Sequence, residues 1–296
     1  MKLFTRIRER VHPLHRARQW RWFQAVQNRW DPIIRVRLPR IRKPIYARLF
    51  AHAAYWLGGE TLEESVRKTF AQWMISPEGK RGFWDVGANI GMYSFIYGNA
   101  YPDSPLLSFE PDRRNVECLR RTMSLWNAAS HRLIAAAVSD HRGRAPFSVD
   151  RLSGATGTLV LEHSTFNERR YGVKGGTETV DLVCLDDFYL SEAPGLIKID
   201  VEGAEVAVLR GAARLLAQAS PVLLFESFDQ KEDCRHLLGP YGYSFFDSDR
   251  CGPVSDETTN FLALVLDKAS EDLVRLLREI GYPLGTVFDS RPRGVQ

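Results

Sequence analysis

Three segments of the chain place acids and glycines where they could do chemistry. Phe83-Trp84-Asp85-Val86-Gly87-Ala88-Asn89-Ile90-Gly91 reads as a buried strand, a tight turn and the start of a helix. Its glycines let backbone approach a ligand closely, and the opening helix presents free N–H groups. The spacing is GxxxG, not the GxGxxG of dinucleotide sites, and Asp85 ends the strand before the turn. An acid there repels a pyrophosphate and suits a cation, such as the amino group of S-adenosylmethionine. Glu110 ends a second strand, in Ser108-Phe109-Glu110-Pro111. A carboxylate in that place accepts hydrogen bonds from both ribose hydroxyls of an adenosine, whether the ligand is a nicotinamide dinucleotide or S-adenosylmethionine.

The third segment is Ile197-Lys198-Ile199-Asp200-Val201-Glu202-Gly203-Ala204-Glu205, followed by Leu209-Arg210-Gly211. Asp200 and Glu202 leave the end of a buried strand beside the one that carries Asp85. Two carboxylates there could accept a proton, orient an acceptor hydroxyl or hold a metal. Glu226 ends the next strand, in Phe225-Glu226-Ser227, and faces the same cleft. Glu205 lies at a helix start, where interaction with the helix dipole accounts for it. His163, in a Gly/Ser/Thr-rich insertion over Ser153–Gly176, could border an acceptor lid.

The elements that must position these residues alternate. Strands are expected at Phe83–Val86, Leu106–Glu110, Arg132–Val138, Leu196–Asp200 and Val222–Glu226. Helices are expected near Gly91–Tyr97, Asp112–Ser124, Ala204–Ala217 and Gln230–Leu238. Such alternation predicts a mostly parallel sheet covered on both faces. Tyr243–Asp247 and Asn260–Leu266 then read as an antiparallel strand pair at the sheet edge, before a helix over Glu271–Ile280. Upstream, Ile33–Leu38 and Pro44–Leu49 alternate as a β-hairpin. Thr61 and Glu64 form a capping box for a helix lined by Leu62, Val66, Phe70, Trp73 and Met74.

With these motifs in order, the chain resembles the FkbM family of S-adenosylmethionine-dependent methyltransferases over roughly residues 40–266. The resemblance rests on Asp85–Gly91, Phe109-Glu110-Pro111 with Asn115, Ala137–Asp140 with Gly143, Leu185-Asp186-Asp187, and Ile197–Glu205 with Leu209 and Gly211. Asp112-Arg113-Arg114 departs from the usual proline-containing spacer. The resemblance implies an α/β, Rossmann-like, seven-stranded sheet with helices on both faces and an antiparallel last strand. It implies methyl transfer to a hydroxyl, commonly on a sugar of a glycolipid, polysaccharide or secondary metabolite. Carried over, Asp85, Gly87, Asn89 and Gly91 hold the methionine end of the cofactor, Glu110 the ribose, and Ala136 lies along the adenine. Asp200 and Glu202 face the acceptor, with Glu226 beside them and Asp200 also bordering the cofactor. No metal is assigned.

Composition supports an enzyme-sized globular chain. Of 296 residues 44% are hydrophobic, and no apolar run approaches the roughly 20 residues a membrane span requires. Four dispersed cysteines without a CxxC pair fit a reducing cytoplasm. The net charge of +4 hides an asymmetry: residues 1–50 hold 14 Lys/Arg and two acids, leaving 26 basic and 34 acidic residues beyond. Leu3, Ile7, Val11 and Leu14, continued by Trp20, Phe23 and Trp30, make residues 1–30 a basic amphipathic segment. It can lie on an anionic membrane, at the inner face, or along an acidic partner. The organisation expected is 1–32 as a basic extension, 33–80 as hairpin and helix, 81–282 as the methyltransferase domain and 283–296 as a tail. The competing readings are RNA methylation using the arm, a membrane-surface scaffold keeping the fold, and a nicotinamide-dependent oxidoreductase. The acidic body and the missing NPPY and Pro-Cys motifs argue against nucleic acid, and GxxxG argues against the dinucleotide.

Overall fold

The computed structural model describes residues 17–18, 20–58, 63–161, 176–189 and 193–284. In chain order come α1 (Arg21–Arg29), the hairpin β1 (Ile33–Val36) and β2 (Ile45–Arg48), α2 (Ala53–Leu57) and α3 (Glu64–Ile75). Then β3 (Phe83–Val86), α4 (Met92–Ala100), β4 (Leu106–Phe109), α5 (Arg113–Trp126) and β5 (His131–Ile134) alternate. A small sheet follows, with β6 (Ala137–Val138), β7 (Gly143–Val149) and β8 (Gly176–Val183). The chain returns through β9 (Leu196–Ile199), α6 (Glu205–Arg210), α7 (Ala213–Ala219), β10 (Val222–Glu226) and α8 (Lys231–Leu238). It closes with β11 (Ser244–Asp247), β12 (Gly252–Pro253), β13 (Asn260–Leu264) and α9 (Glu271–Glu279).

The main sheet has the order β12-β11-β13-β10-β9-β3-β4-β5. From β10 to β5 every pairing is parallel, and β13 runs antiparallel to both β10 and β11. Seven full strands thus match the expectation, and the two-residue β12 adds an eighth at the edge. Alternate side chains enter cores on opposite faces of the sheet. Phe83, Leu106 and Leu196 join one, while Trp84, Val86, Phe109 and Ile197 join the other. This two-sided burial explains the near-continuous apolar strands. The hairpin packs on α5, where Tyr46 N donates to Thr122 Oγ1 at 2.9 Å and Trp126 Nε1 to the Pro44 carbonyl at 3.0 Å.

Several expectations need correction. The single strand over 132–138 is two: β5 ends at Ile134, and β6 leaves the main sheet to pair with β8. Two short apolar runs lying end to end hide the change of direction. The three-stranded sheet itself, order β6-β8-β7, has no counterpart in the sequence reading. The C-terminal pair is antiparallel at the sheet edge as expected, with β13 lying between β10 and β11. The helix expected over 204–217 breaks into α6 and α7 at Gly211, where a Cβ would lie 2.1 Å from the Ser139 carbonyl oxygen. Helix α3 begins after Glu63, which has a left-handed backbone and no side-chain cap; Thr61 and Leu62 lie outside the described residues. The apolar stripe of the N-terminal segment also divides, with Phe23 buried and Trp20 and Trp30 exposed. Leu3, Ile7, Val11 and Leu14 lie outside the described residues.

Candidate active site

Parallel register brings the chemical residues level. Phe109 pairs with Val86, Val86 with Ile199, and Ile199 with Phe225. The next residues on these strands, Glu110, Gly87, Asp200 and Glu226, therefore emerge side by side at the carboxyl ends, where open α/β sheets bind ligands. The turn after β3 needs its first glycine. Gly87 has φ +80°, and a Cβ there would sit 1.8 Å from the Asp200 carbonyl oxygen. Gly87→Ala should push this turn off the neighbouring strand and cost about 2 kcal/mol or more, read as a drop in thermal midpoint. An unchanged midpoint would mean that the close approach is not structural.

Of the residues assigned to the cofactor, Asp85 lies beneath the turn, 1% exposed. Its Oδ2 accepts the Ser94 amide at 3.1 Å and the Ser94 hydroxyl at 2.6 Å. Burial pushes its carboxyl above the usual range, while nearby Lys198 opposes the shift. Asn89 adopts φ +55°, and its amide donates to Glu110 Oε2 at 2.7 Å. Its Nδ2 donates to the Gly154 carbonyl at 2.7 Å, but its Oδ1 is buried and has no hydrogen-bond partner. Glu110 Oε1 accepts the Asp112 amide at 2.8 Å and Asn115 Nδ2 at 3.4 Å. Burial, reinforced by the charge of Asp112, pushes Glu110 up to about 8. Gly91, at φ +83°, precedes the first turn of α4 and packs against Phe95 and Leu119. Ala136 is buried where the chain crosses between the two sheets.

The acceptor side brings three acids together. Asp200, Glu202 and Glu226 each offer a carboxylate oxygen within 4.8 Å of the other two, and all three are half-buried. Lys198, buried on β9, donates from Nζ to Asp200 Oδ2 at 2.8 Å and sits 4.9 Å from the centre of the Tyr93 ring. Burial alone would lower its pKa, but Asp200, Glu63 and Asp85 together raise it, so it stays a cation. One of the three negative charges is thereby offset. Such a trio suits proton acceptance from a hydroxyl, and three oxygens this close could also hold a divalent cation. It disfavours a phosphate-rich ligand.

Two devices were not legible as site features. Asp150 accepts the amides of Leu152, Ser153, Ala155 and Thr156 and both neighbouring hydroxyls, of Ser153 and Thr156. Burial would raise its pKa, yet these bonds hold it below the usual carboxylate range. The loop it folds roofs the cleft. Its Gly154 carbonyl takes Asn89 and Asn115, and Thr158 Oγ1 reaches the Glu202 carbonyl at 2.7 Å. The signal in the sequence was an acid with Ser-Gly-Ala-Thr starting three residues on, an Asx-turn composition. The second device is a relay from the hairpin. The Arg48 amide donates to His52 Nδ1, so Nε2 carries the proton and donates to Asn115 Oδ1, each at 2.9 Å. Burial draws His52 down to about 3, keeping the ring neutral.

Other motif residues turn out to brace the fold. Asp186 accepts the Arg214 and Leu215 amides at the start of α7, and Asp187 pairs with Arg142. Glu205 is 1% exposed and accepts the Gly203 amide, and burial raises it to about 7. A carboxyl that rises on folding binds more protons in the native state, so its contribution to stability falls as pH climbs from about 4.5 to 7. Glu205→Gln should gain thermal midpoint relative to the parent between pH 5 and pH 8. A difference constant with pH would contradict this. His163 lies outside the described residues.

Comparison with known proteins finds a methyltransferase family and methyltransferase relatives. The Methyltransferase FkbM domain model matches residues 85–282. Methyltransferase 1 of Beauveria bassiana (strain ARSEF 2860) is 31% identical over 141 residues, 43% of this chain and 56% of that protein. Methyltransferase sdnD of Sordaria araneosa is 30% identical over 151 residues, 43% of this chain and 58% of its own. The chain thus spans little more than half the length of these curated relatives. Among solved structures, the crystal structure of Methyltransferase FkbM from Methylobacillus flagellatus KT aligns at 18% identity with a TM-score of 0.42. That alignment covers 62% of this chain and 43% of the other.

Proposed function

The chain belongs to the FkbM family of S-adenosylmethionine-dependent methyltransferases, and on that premise we propose that it methylates a hydroxyl of a sugar in a glycolipid, polysaccharide or secondary metabolite. The observation that carries this reading is the acid trio Asp200, Glu202 and Glu226 at the strand ends, next to the turn and Glu110. The residues on the cofactor side fit S-adenosylmethionine. Glu110 meets three donors with roughly four lone-pair sites, which leaves capacity for a ribose hydroxyl. The buried, unpartnered Asn89 Oδ1 is an acceptor awaiting a donor such as an amino group. When bound, the cofactor supplies a methyl group on a positively charged sulfur.

The protein's part is then to bind, align and deprotonate. Gly87–Gly91, with Asn89, and Glu110 would hold the cofactor, and Asp85 braces the turn from below through Ser94. In-line displacement rewards alignment of the acceptor oxygen with the methyl carbon, a gain that positioning alone can supply. One of Asp200 and Glu202 would accept the single hydroxyl proton as the oxygen–carbon bond forms and the sulfur–carbon bond breaks to leave the neutral thioether. Lys198 keeps Asp200 oriented. The Asp150 loop ties the two sides of the cleft together, at Asn89 and at the Glu202 carbonyl. The test is to incubate the protein with trideuteromethyl-labelled S-adenosylmethionine and separate glycolipid, polysaccharide and RNA pools. Label should enter the carbohydrate pools. Label in RNA alone would favour the RNA reading and sink this one.

A further inference from the structure

Helix α1 has two unlike faces. The inward one is fastened to the body. Phe23 is 7% exposed and meets the Phe50 ring edge-on at 5.3 Å. Gln27 Nε2 donates to the Leu152 carbonyl at 2.8 Å and the Arg151 carbonyl at 3.2 Å. Just before the helix, Arg18 donates to the Phe50 and Ala51 carbonyls, at 2.9 and 3.0 Å. Just after it, Asp31 takes the Phe50 and Ala51 amides and the Arg114 guanidinium. With both ends and the middle held, the outward face is presented by design of the fold and not by a loose arm.

That outward face carries Trp22 and Val26 at i and i+4, 62% and 42% exposed. Trp30, the extended residue that ends the helix, is 58% exposed while its ring meets Phe50 edge-on at 6.1 Å. Trp20, 53% exposed, stacks on Trp22 with ring centres 5.7 Å apart. The other exposed large apolar side chains among the described residues are scattered singly along the sequence. Charge points the same way. Asp31 is the only acid between residues 17 and 58, and its side chain is 3% exposed. Arg21 and Arg29 on the helix, with Arg35 and Arg37 nearby in the chain, are exposed.

We propose that this face seats the protein on an anionic lipid surface. Exposed tryptophans on a basic helix and at its two ends are what the headgroup layer accepts: rings among the upper acyl chains, guanidinium groups at the lipid phosphates. A single-stranded nucleic acid would instead use aromatic faces left open one by one, whereas here two indoles cover each other and a valine continues the stripe. The position adds a consequence. Gln27 holds the backbone of Arg151 and Leu152, and the loop beginning there takes Asn89 and Asn115 on its Gly154 carbonyl, so the lipid face adjoins the loop beside the cleft. The inference requires no particular acceptor.

The experiment uses the full chain with phosphatidylcholine vesicles, with and without phosphatidylglycerol, some carrying brominated acyl chains. Wild-type protein should sediment with the anionic vesicles, and bromine should quench its tryptophan emission. Trp22→Ser combined with Trp30→Ser should lower partitioning about tenfold or more, by removing insertable apolar area. What binding remains should vanish with added salt. Unchanged S-adenosylmethionine affinity shows that the variant is folded. The quenching needs no variant, so a misfolded one leaves the test intact. Wild-type protein that stays in the supernatant unquenched overturns the proposal, as does a variant that partitions like the parent. So does a tryptophan-dependent dimer in solution, or a tryptophan-dependent RNA complex, without vesicle binding.

Discussion

Glu202→Gln and Asp200→Asn will each lower methyl transfer about a hundredfold or more while S-adenosylmethionine affinity stays within a few fold. The size is that of losing a general base. The separation of the two effects follows from position. Both carboxylates join Glu226 at the ends of β9 and β10, while Asn89, in the turn after β3, bonds to Glu110 at the end of β4 on the far side. An amide keeps the shape of each acid and removes its capacity to take a proton. Asp200→Asn also deprives buried Lys198 of its nearest anion, so Glu202→Gln is the cleaner of the two. The double variant should fall little below the worse single one, since the pair acts as a unit. EDTA should leave turnover intact; its loss, with rescue by Mg²⁺, would make the trio a metal site. Full activity in both single variants would move the chemistry to Glu226 or to His163.

Glu110→Gln will weaken S-adenosylmethionine binding by about 1–3 kcal/mol, roughly ten- to a hundredfold, the usual value of a hydrogen bond to a charged group. The wild-type pH dependence gives a sharper signature. Burial and the charge of Asp112 put the Glu110 carboxyl at about 8 before ligand arrives. A ribose hydroxyl donates best to the ionised form, so binding must expel the proton. Affinity should therefore rise as pH is raised through about 8 and then level off. Calorimetry in buffers of different ionisation enthalpy should register proton release, and the Gln variant should show neither effect. Asp85→Asn should differ: with its carboxylate spent on Ser94 under the turn, its loss should appear first as a lower thermal midpoint. A Gln variant with parental affinity would remove Glu110 from the cofactor site.

The parallel core was legible because β3, β4, β9 and β10 are buried on both faces and read as short apolar runs closed by an acid or a glycine. Asp85, Glu110, Asp200 and Glu226 stood out for the same reason, as carboxylates at the ends of apolar strands, although Asp85 proves to brace the turn through Ser94. What escaped depends on contacts distant in sequence. The break between β5 and β6 is set by pairing with β8, over forty residues on, and nothing in the apolar run of 132–138 marks it. Lys198 read as a strand residue, and only the neighbouring strands reveal that it balances Asp200. His52 enters the site through Asn115, a partner 63 residues away. The N-terminal stripe was read as one face, but a 3.6-residue period cannot say which of Phe23 and Trp22 turns inward. Docking of Phe23 on Phe50 and of Gln27 on the Leu152 carbonyl decides it. No helix among the described residues is long and apolar enough to cross a membrane.

The most direct test of the account is the identity of the atom that receives the methyl group. With ¹³C-methyl S-adenosylmethionine as donor, the purified product of turnover should show a labelled methoxy carbon. Long-range carbon–proton correlation should join that carbon through oxygen to a sugar ring position. A label found on nitrogen, or on a carbon of the acceptor, would contradict a site built around carboxylates that take a hydroxyl proton.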